Sequence, residues 1–162
     1  MICTAHYRSP IGLLEIRATD SALLSVRRRE AVPHLPAAET PLLAEAIRQL
    51  ASYFDRSLQR FELPLDYGNA SPFQRQVWDL LQAIPYGHTR SYLYLAQQLG
   101  DPKAVRAVGM ANRTNPFALV VPCHRVIAQN GDLQGYFYGL DIKRQLLELE
   151  NPLSFGRQQV LF

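Results

Sequence analysis

The segment Asn115-Pro116-Phe117-Ala118-Leu119-Val120-Val121-Pro122-Cys123-His124-Arg125-Val126-Ile127 constrains this chain more than any other stretch. An apolar run held between prolines reads as a buried extended segment, and this one delivers a cysteine directly before a histidine and an arginine. A thiol is a weak nucleophile until it ionises, and a neighbouring base or positive charge favours the thiolate, so Cys123 beside His124 and Arg125 is chemically suggestive. In an extended chain successive side chains point to opposite faces, so His124 reaches the Cys123 sulfur only through a bend or a bridging water. The pair therefore reads either as a nucleophile with its base or as an inert buried thiol beside a hydrogen-bonded core histidine.

Burying such a run needs a real core, and 162 residues suffice for one large domain or two small ones. Hydrophobic residues at 48%, charged residues at 19%, and only 9 Gly and 11 Pro exclude disordered and collagen-like chains. Arg, Asp or Glu interrupts every apolar run before it reaches membrane-spanning length. The opening MICTAHYRSPIG has no basic start leading into an apolar stretch, so a cytosolic location is expected. Cys3 and Cys123 lie 120 residues apart with no C-x-x-C, which points to free thiols in a reducing compartment and to no metal site. Residues 1–68 carry eight basic and eight acidic side chains, while 69–162 carry nine and six, so the whole net charge of +3 belongs to the second part. Of the 17 basic residues 15 are Arg, a bias that suits phosphate recognition and that a GC-rich genome produces equally well.

Ile2 to Tyr7, Leu13 to Ala18 and Ala22 to Val26 alternate with turn residues and read as antiparallel strands. A helix capped by Thr40-Pro41 follows, with Leu43, Ile47, Leu50, Ala51 and Phe54 on one face, and Gly68-Asn69-Ala70 reads as a linker. The expected organisation is a sheet-plus-helix domain over 1–68, a mostly helical domain over 69–152 and a tail over 153–162. In the second domain Ser71-Pro72 starts a helix with Phe73, Val77, Leu80, Leu81 and Ile84 as its apolar stripe. Another helix follows Ser91 and ends at Gly100, and Asp101-Pro102 opens a third after a turn of about three or four residues, a helix-turn-helix arrangement. On that third helix Lys103, Arg106, Ala107, Met110 and Arg113 share one side and Ala104, Val105, Val108 and Ala111 the other. The small Ala107 and Gly109 among cations suit a helix lying in a nucleic-acid groove; a solvated amphipathic helix is the alternative.

The string Pro122-Cys123-His124-Arg125-Val126, preceded by Arg106-Ala107-Val108-Gly109 and Asn115-Pro116, resembles the active-site signature of the O6-alkylguanine-DNA alkyltransferases. Phe73-Gln74, Val77-Trp78, Ile84-Pro85-Tyr86-Gly87, Ser91-Tyr92, Gly135-Tyr136, Gly139-Leu140, Lys143 and Leu146-Leu147 through Glu150 extend the likeness over 71–150. The resemblance implies an α+β fold, with a ribonuclease-H-like N-terminal sheet and helix followed by a winged helix-turn-helix-like DNA-binding domain. It implies direct-reversal repair: the cysteine attacks the alkyl carbon on O6 of guanine, or on O4 of thymine, and keeps it permanently, with no cofactor and no metal. DNA is the implied partner, bound by a monomer of which several copies could cluster.

Mapped residue by residue, the resemblance makes Cys123 the nucleophile and alkyl acceptor, His124 its base through a water, Glu150 the group that orients the imidazole, and Asn115 the support of the turn. Arg106 would enter the duplex where the base has flipped out, with its helix in the minor groove. Tyr92 would lie near the flipped nucleotide, the Val126 carbonyl would accept from the guanine amino group, and Tyr136 would donate to the departing oxygen. Two residues depart from the family pattern. Tyr138 replaces a glycine and is expected to crowd the alkyl side, favouring methyl over benzyl lesions; His88 replaces a glutamate and reads as surface variation near DNA. Competing readings are a lesion-binding module without transfer, against which Cys123 argues, a turnover cysteine hydrolase, and a metal site built from Cys3, His6, Cys123 and His124, whose spacings match no common zinc pattern.

Overall fold

The computed structural model describes residues 1–31 and 39–156. The chain divides into two compact units, one formed by the described residues of Met1–Asn69 with Pro116–Val120, the other by Ala70–Asn115 with the described residues from Val121 onward.

In the first unit, β1 (Cys3–Ser9), β2 (Gly12–Ala18) and β3 (Leu23–Arg29) form an antiparallel sheet in that order. A two-residue turn, Pro10-Ile11, pairs Ser9 with Gly12. Gly12 sits at φ 112°, a backbone conformation that favours glycine, with the Arg28 side chain lying against it. The central strand β2 is buried on both faces, through Leu14, Ile16 and Ala18 on one and Leu13 and Glu15 on the other. The helix α1 (Pro41–Phe54) starts as expected, with Thr40 Oγ1 accepting from the Leu43 N–H at 3.2 Å. Its buried face is Leu43, Ala46, Gln49, Leu50 and Tyr53; Ile47, Ala51 and Phe54, expected on that face, are only half-buried. Tyr53 and the small Ala46 turned inward because a stripe drawn through the larger aliphatics alone is rotated from the true contact line. The outer side of β3 is not left open. The Leu23 N–H donates to the Pro64 carbonyl and the Val26 N–H to that of Pro116, while Ala118 N–H returns a bond to the Val26 carbonyl, so isolated bridges cover this edge and 116–120 joins the first unit although it lies within the stretch 69–152 of the linear reading.

In the second unit, α2 (Pro72–Gln82) opens on a capping box: Ser71 Oγ accepts from the Gln74 N–H, and Gln74 Oε1 from the Ser71 N–H. The buried Trp78 donates through Nε1 to the Ala111 carbonyl at 2.8 Å, tying α2 to α4 (Val105–Arg113). Before α4 come β4 (Arg90–Ser91) and α3 (Tyr92–Gln98), which Ser91 caps. The α3–α4 connection spans Leu99 to Ala104, longer than the turn expected from sequence, and the third helix does not begin at Pro102. Asp101 Oδ1 takes the Lys103 N–H in a local turn, so this acid stops short of capping the helix and Lys103 stays outside it. A 3-10 turn at Cys123–Arg125 leads into β5 (Val126–Ile127), which pairs in parallel with β4. The helix α5 (Leu140–Glu150) buries Lys143, Leu146, Leu147 and Glu150 at spacings of three and four, and the π-helical turn Pro152–Gly156 follows. Of the expected tail, 157–162 lies outside the described residues. No helix among the described residues is long and apolar enough to cross a membrane.

Candidate active site

The run 115–127 is buried as its composition requires, but it is not extended. Bonds that close within two or three residues, Val120 N–H to Ala118 O, Cys123 N–H to Val121 O and Arg125 N–H to Pro122 O, satisfy the backbone through turns, and Leu119 takes a left-handed φ of 70°. Only Val126–Ile127 enters a strand. Asn115 anchors the turn leading to the thiol, its Nδ2 donating to the Val121 carbonyl at 2.8 Å. The bend that an extended chain would have lacked is thus built in immediately before Cys123.

Behind the thiol lies a buried ionic network centred on Glu150. Arg125 donates from Nε to Glu150 Oε1 at 2.8 Å and from Nη2 to Oε2 at 3.1 Å, a bidentate fork, and its Nη1 donates to the Ile84 carbonyl at 2.7 Å. His124 Nε2 stands 2.6 Å from Glu150 Oε2, and the Gly87 N–H donates to Oε1 at 3.2 Å. Gly87 has φ 79°, which favours glycine, and a Cβ there would lie a tight 3.3 Å from the Glu150 carbonyl oxygen. Burial alone would raise the Glu150 carboxyl, but the charges and hydrogen bonds of His124 and Arg125 overcome it and hold the group well below the usual carboxylate range. Burial outweighs Glu150 at His124 and, with Arg125 and Lys143 nearby, keeps the imidazole below its ordinary value. The ring is therefore neutral at pH 7, with Nε2–H donating to the ionised Glu150. That leaves the lone pair on Nδ1, which is buried and has no hydrogen-bond partner among the described residues.

Cys123 is fully buried, and desolvation pushes its thiol up to about 11 despite the opposing effects of Asn115 and Lys143. At pH 7 that leaves on the order of one thiolate in ten thousand, so reaction at this sulfur needs a base rather than a standing anion. Tyr136 is held well above its usual range, chiefly by burial and then by Cys123, so its hydroxyl keeps its proton, and that oxygen too lacks a partner among the described residues. Burial, with a contribution from Cys123, also raises Tyr92.

A cavity of about 420 Å³ adjoins this centre, with Tyr92, Arg106, Met110, Asn112, Arg113 and Tyr136 among its lining. Arg106, Ala107, Met110 and Arg113 form the exposed face of α4, as expected, while Val108 and Ala111 are buried. Val105, expected on the packed face, is the first residue of the helix, is 37% exposed and lines the cavity. Lys103 is exposed in the preceding turn. Val126 and Tyr138 do not line the cavity. The Val126 carbonyl instead accepts from Lys143 Nζ at 2.6 Å. Tyr138 stands edge-on to Tyr136, ring centres 5.7 Å apart, and against Phe137 at 4.2 Å, so it supports the Tyr136 wall and Phe137 takes the position at the cavity. His88 is exposed, its Nδ1 3.1 Å from the Tyr86 carbonyl.

Three residues hold positions that the sequence did not show. Arg125, expected beside the thiol as a charge favouring the thiolate, instead pairs with Glu150 and holds it ionised. Lys143, fully buried and lowered by burial to about 8, gathers the carbonyls of Val126, Leu133 and Gly135, fixing the loop that precedes Tyr136. Asn112 donates from Nδ2 to the Cys123 carbonyl at 3.4 Å. The readable signal for Lys143 was its register with Leu146, Leu147 and Glu150 on one helical face. Among the described residues no group of three or more His, Cys, Asp or Glu is placed to hold a metal.

Comparison with known proteins agrees with this arrangement. Residues 2–67 match the family model described as the ribonuclease-like domain of 6-O-methylguanine DNA methyltransferase, and 72–152 match its DNA binding domain. A methylated-DNA–protein-cysteine methyltransferase of Mycolicibacterium paratuberculosis is 49% identical over 151 residues, covering 90% of each chain. One from Methanosarcina acetivorans is 44% identical over 151 residues, covering 90% of this chain and 96% of the relative. The crystal structure of Mycobacterium tuberculosis OGT in complex with DNA superposes with a TM-score of 0.81 at 44% identity, covering 91% of each chain. A more distant O6-methylguanine-DNA methyltransferase, from Pyrococcus kodakaraensis, shares the fold at a TM-score of 0.54 and 23% identity. With both domain models matched across most of its length, and a cysteine, histidine and glutamate assembled in its second unit, this chain belongs to the 6-O-methylguanine DNA methyltransferase family, the proteins that repair DNA by alkyl transfer to a cysteine of their own.

Proposed function

We propose that the protein moves the alkyl group of an O6-alkylguanine in duplex DNA irreversibly onto Cys123, one lesion per molecule. The observation that carries this reading is the buried, protonated thiol beside a neutral His124 whose Nδ1 has no described partner and whose Nε2–H rests on an ionised Glu150. As sulfur attacks the alkyl carbon, Nδ1 takes the thiol proton through a water. The S–C bond forms, the C–O6 bond breaks, and its electron pair stays on O6, to which the Tyr136 hydroxyl donates a proton. The imidazolium then restores the tyrosine proton, so the thiol proton ends on the guanine. The thioether offers no leaving group that water can displace, which makes the protein single-turnover. Asn115 and Asn112 hold the turn on which the sulfur sits.

A base stacked in a duplex cannot meet a fully buried sulfur, so the nucleotide must leave the stack at a cost of a few kcal/mol. The exposed face of α4 suits that task. Arg106 takes the vacated place from the minor groove, Ala107 and Gly109 let the backbone approach, and Lys103 and Arg113 meet phosphates. Tyr92 lies beside the extruded nucleotide, and the Val126 carbonyl keeps a second lone pair for a guanine amino hydrogen. The protein acts as a cytoplasmic monomer without cofactor.

Incubation with duplex DNA carrying one O6-methylguanine should add one methyl, found by peptide mass on Cys123 and absent from Cys123→Ser; tight lesion binding with no added mass would support a recognition module instead. Arg106→Ala should lose most of its rate on duplex DNA, about tenfold or more, while reacting with the free alkylated base at a rate close to the parent's, measured as single-turnover rates. Equal losses on both substrates would exclude an extrusion role. Glu150→Gln leaves the buried Arg125 charge unpaired and should cost roughly 3–5 kcal/mol in urea unfolding at pH 7. Because the folded carboxyl lies below its ordinary 4.5, the unfolded state binds more protons in acid; the Glu150 contribution is complete above about pH 4.5 and is lost as pH falls below it. The variant should therefore show a flatter acid limb than the parent.

A further inference from the structure

Of the buried polar atoms near the thiol that lack a partner among the described residues, His124 Nδ1 and the Tyr136 hydroxyl are used by the reaction above, and Asn112 Oδ1 is not. Asn112 lies on α4, is only 6% exposed, and lines the cavity together with Tyr92 and Tyr136. Its amide is oriented by the bond from Nδ2 to the Cys123 carbonyl, since an oxygen facing that carbonyl would be repelled, and this turns Oδ1 into the free end. The main-chain acceptors around it already have donors: the Cys123 carbonyl takes Asn112, and the Val126 carbonyl takes Lys143. Asn112 Oδ1 is an acceptor that has no partner among the described residues and that the reaction does not use, and a buried acceptor left unpaired is costly.

An O6-alkylguanine presents a definite complement to this arrangement. Alkylation fixes the ring so that O6 and N1 accept, and the 2-amino group is the one donor remaining on the pairing edge. The Tyr136 hydroxyl supplies a donor for O6, so the unmatched acceptor calls for the amino group. We propose that Asn112 is a specificity-determining residue whose Oδ1 accepts a hydrogen bond from the 2-amino group of the extruded O6-alkylguanine. The amino group has two hydrogens, so this bond and one to Val126 coexist. A base without that amino group, whether a hypoxanthine or a thymine lesion, enters the same cavity but leaves Oδ1 buried and unpaired, and the site rejects it for what it fails to donate rather than for its size.

The inference rests on alkyl transfer to Cys123, and its test separates the two. Single-turnover methyl transfer, read by peptide mass at Cys123, is measured on duplexes containing O6-methylguanine or O6-methylhypoxanthine, which differ only in the 2-amino group. The parent should favour guanine by roughly tenfold or more. Asn112→Leu, near in size but without the acceptor, and Asn112→Ala, which cannot overfill the site, should each lower that ratio by about fivefold or more, the remainder being the preference that the Val126 carbonyl retains, even where loss of the Cys123 contact slows both substrates. A ratio unchanged in the soluble variants, or no preference in the parent, would overturn the assignment and leave Oδ1 as a water site. No methyl on the parent's Cys123 from either duplex would overturn the alkyl-transfer reading itself, and this inference with it.

Discussion

The Arg125–Glu150 fork is the interaction on which the site depends. Glu150 ends α5, Arg125 ends the turn that carries the thiol, and the fork joins them inside the protein, where neither charge tolerates being alone. The same carboxylate receives the Gly87 N–H, and Arg125 caps the Ile84 carbonyl, so the end of α2, the start of β4, the reactive turn and α5 are all referred to one point. The desolvation of two ions makes such a pair a poor source of net stability. Its value lies in position: the network fixes which nitrogen of His124 carries the proton and therefore where the other nitrogen's lone pair faces.

Seen this way, the resting site is arranged for a reaction that happens once. Burial pushes the thiol up to about 11 and so keeps it protonated at pH 7, while His124 Nδ1 and the Tyr136 hydroxyl have no hydrogen-bond partner among the described residues. Lys143 contributes from behind by binding three carbonyls, which gives an otherwise irregular loop a defined shape beside Tyr136.

Much of this was legible in the sequence, and what was not has definite physical causes. Ser71-Pro72, Thr40-Pro41 and Ser91 announced their helices because capping is local chemistry. The start of α4 was not legible: Asp101-Pro102 has the residues of a cap, yet Asp101 turned its carboxylate to the Lys103 N–H, a choice between two equally local bonds that the rest of the fold makes. The conformation around Cys123 was hidden for the same reason. Composition predicted burial of 115–127, but whether its backbone groups would be met by strands or by turns depends on Asn115 closing onto Val121 and on Arg125 reaching Glu150 across 25 residues. Sequence likeness named Cys123, His124 and Glu150 without their geometry. It passed over Asn112, which at 100° per residue falls between Val105 and Val108 on the packed face of α4, because the periodicity was traced only through the apolar and the basic residues.

The central claim is that His124 rests neutral, with Nε2–H on Glu150 and a bare Nδ1. Nitrogen NMR of the protein labelled with 15N-histidine measures this directly at pH 7. The account predicts for His124 one protonated nitrogen and one unprotonated, with the proton assigned to Nε2 by its couplings and lost from that position in Glu150→Gln. A doubly protonated ring at pH 7, or a proton on Nδ1, would contradict it.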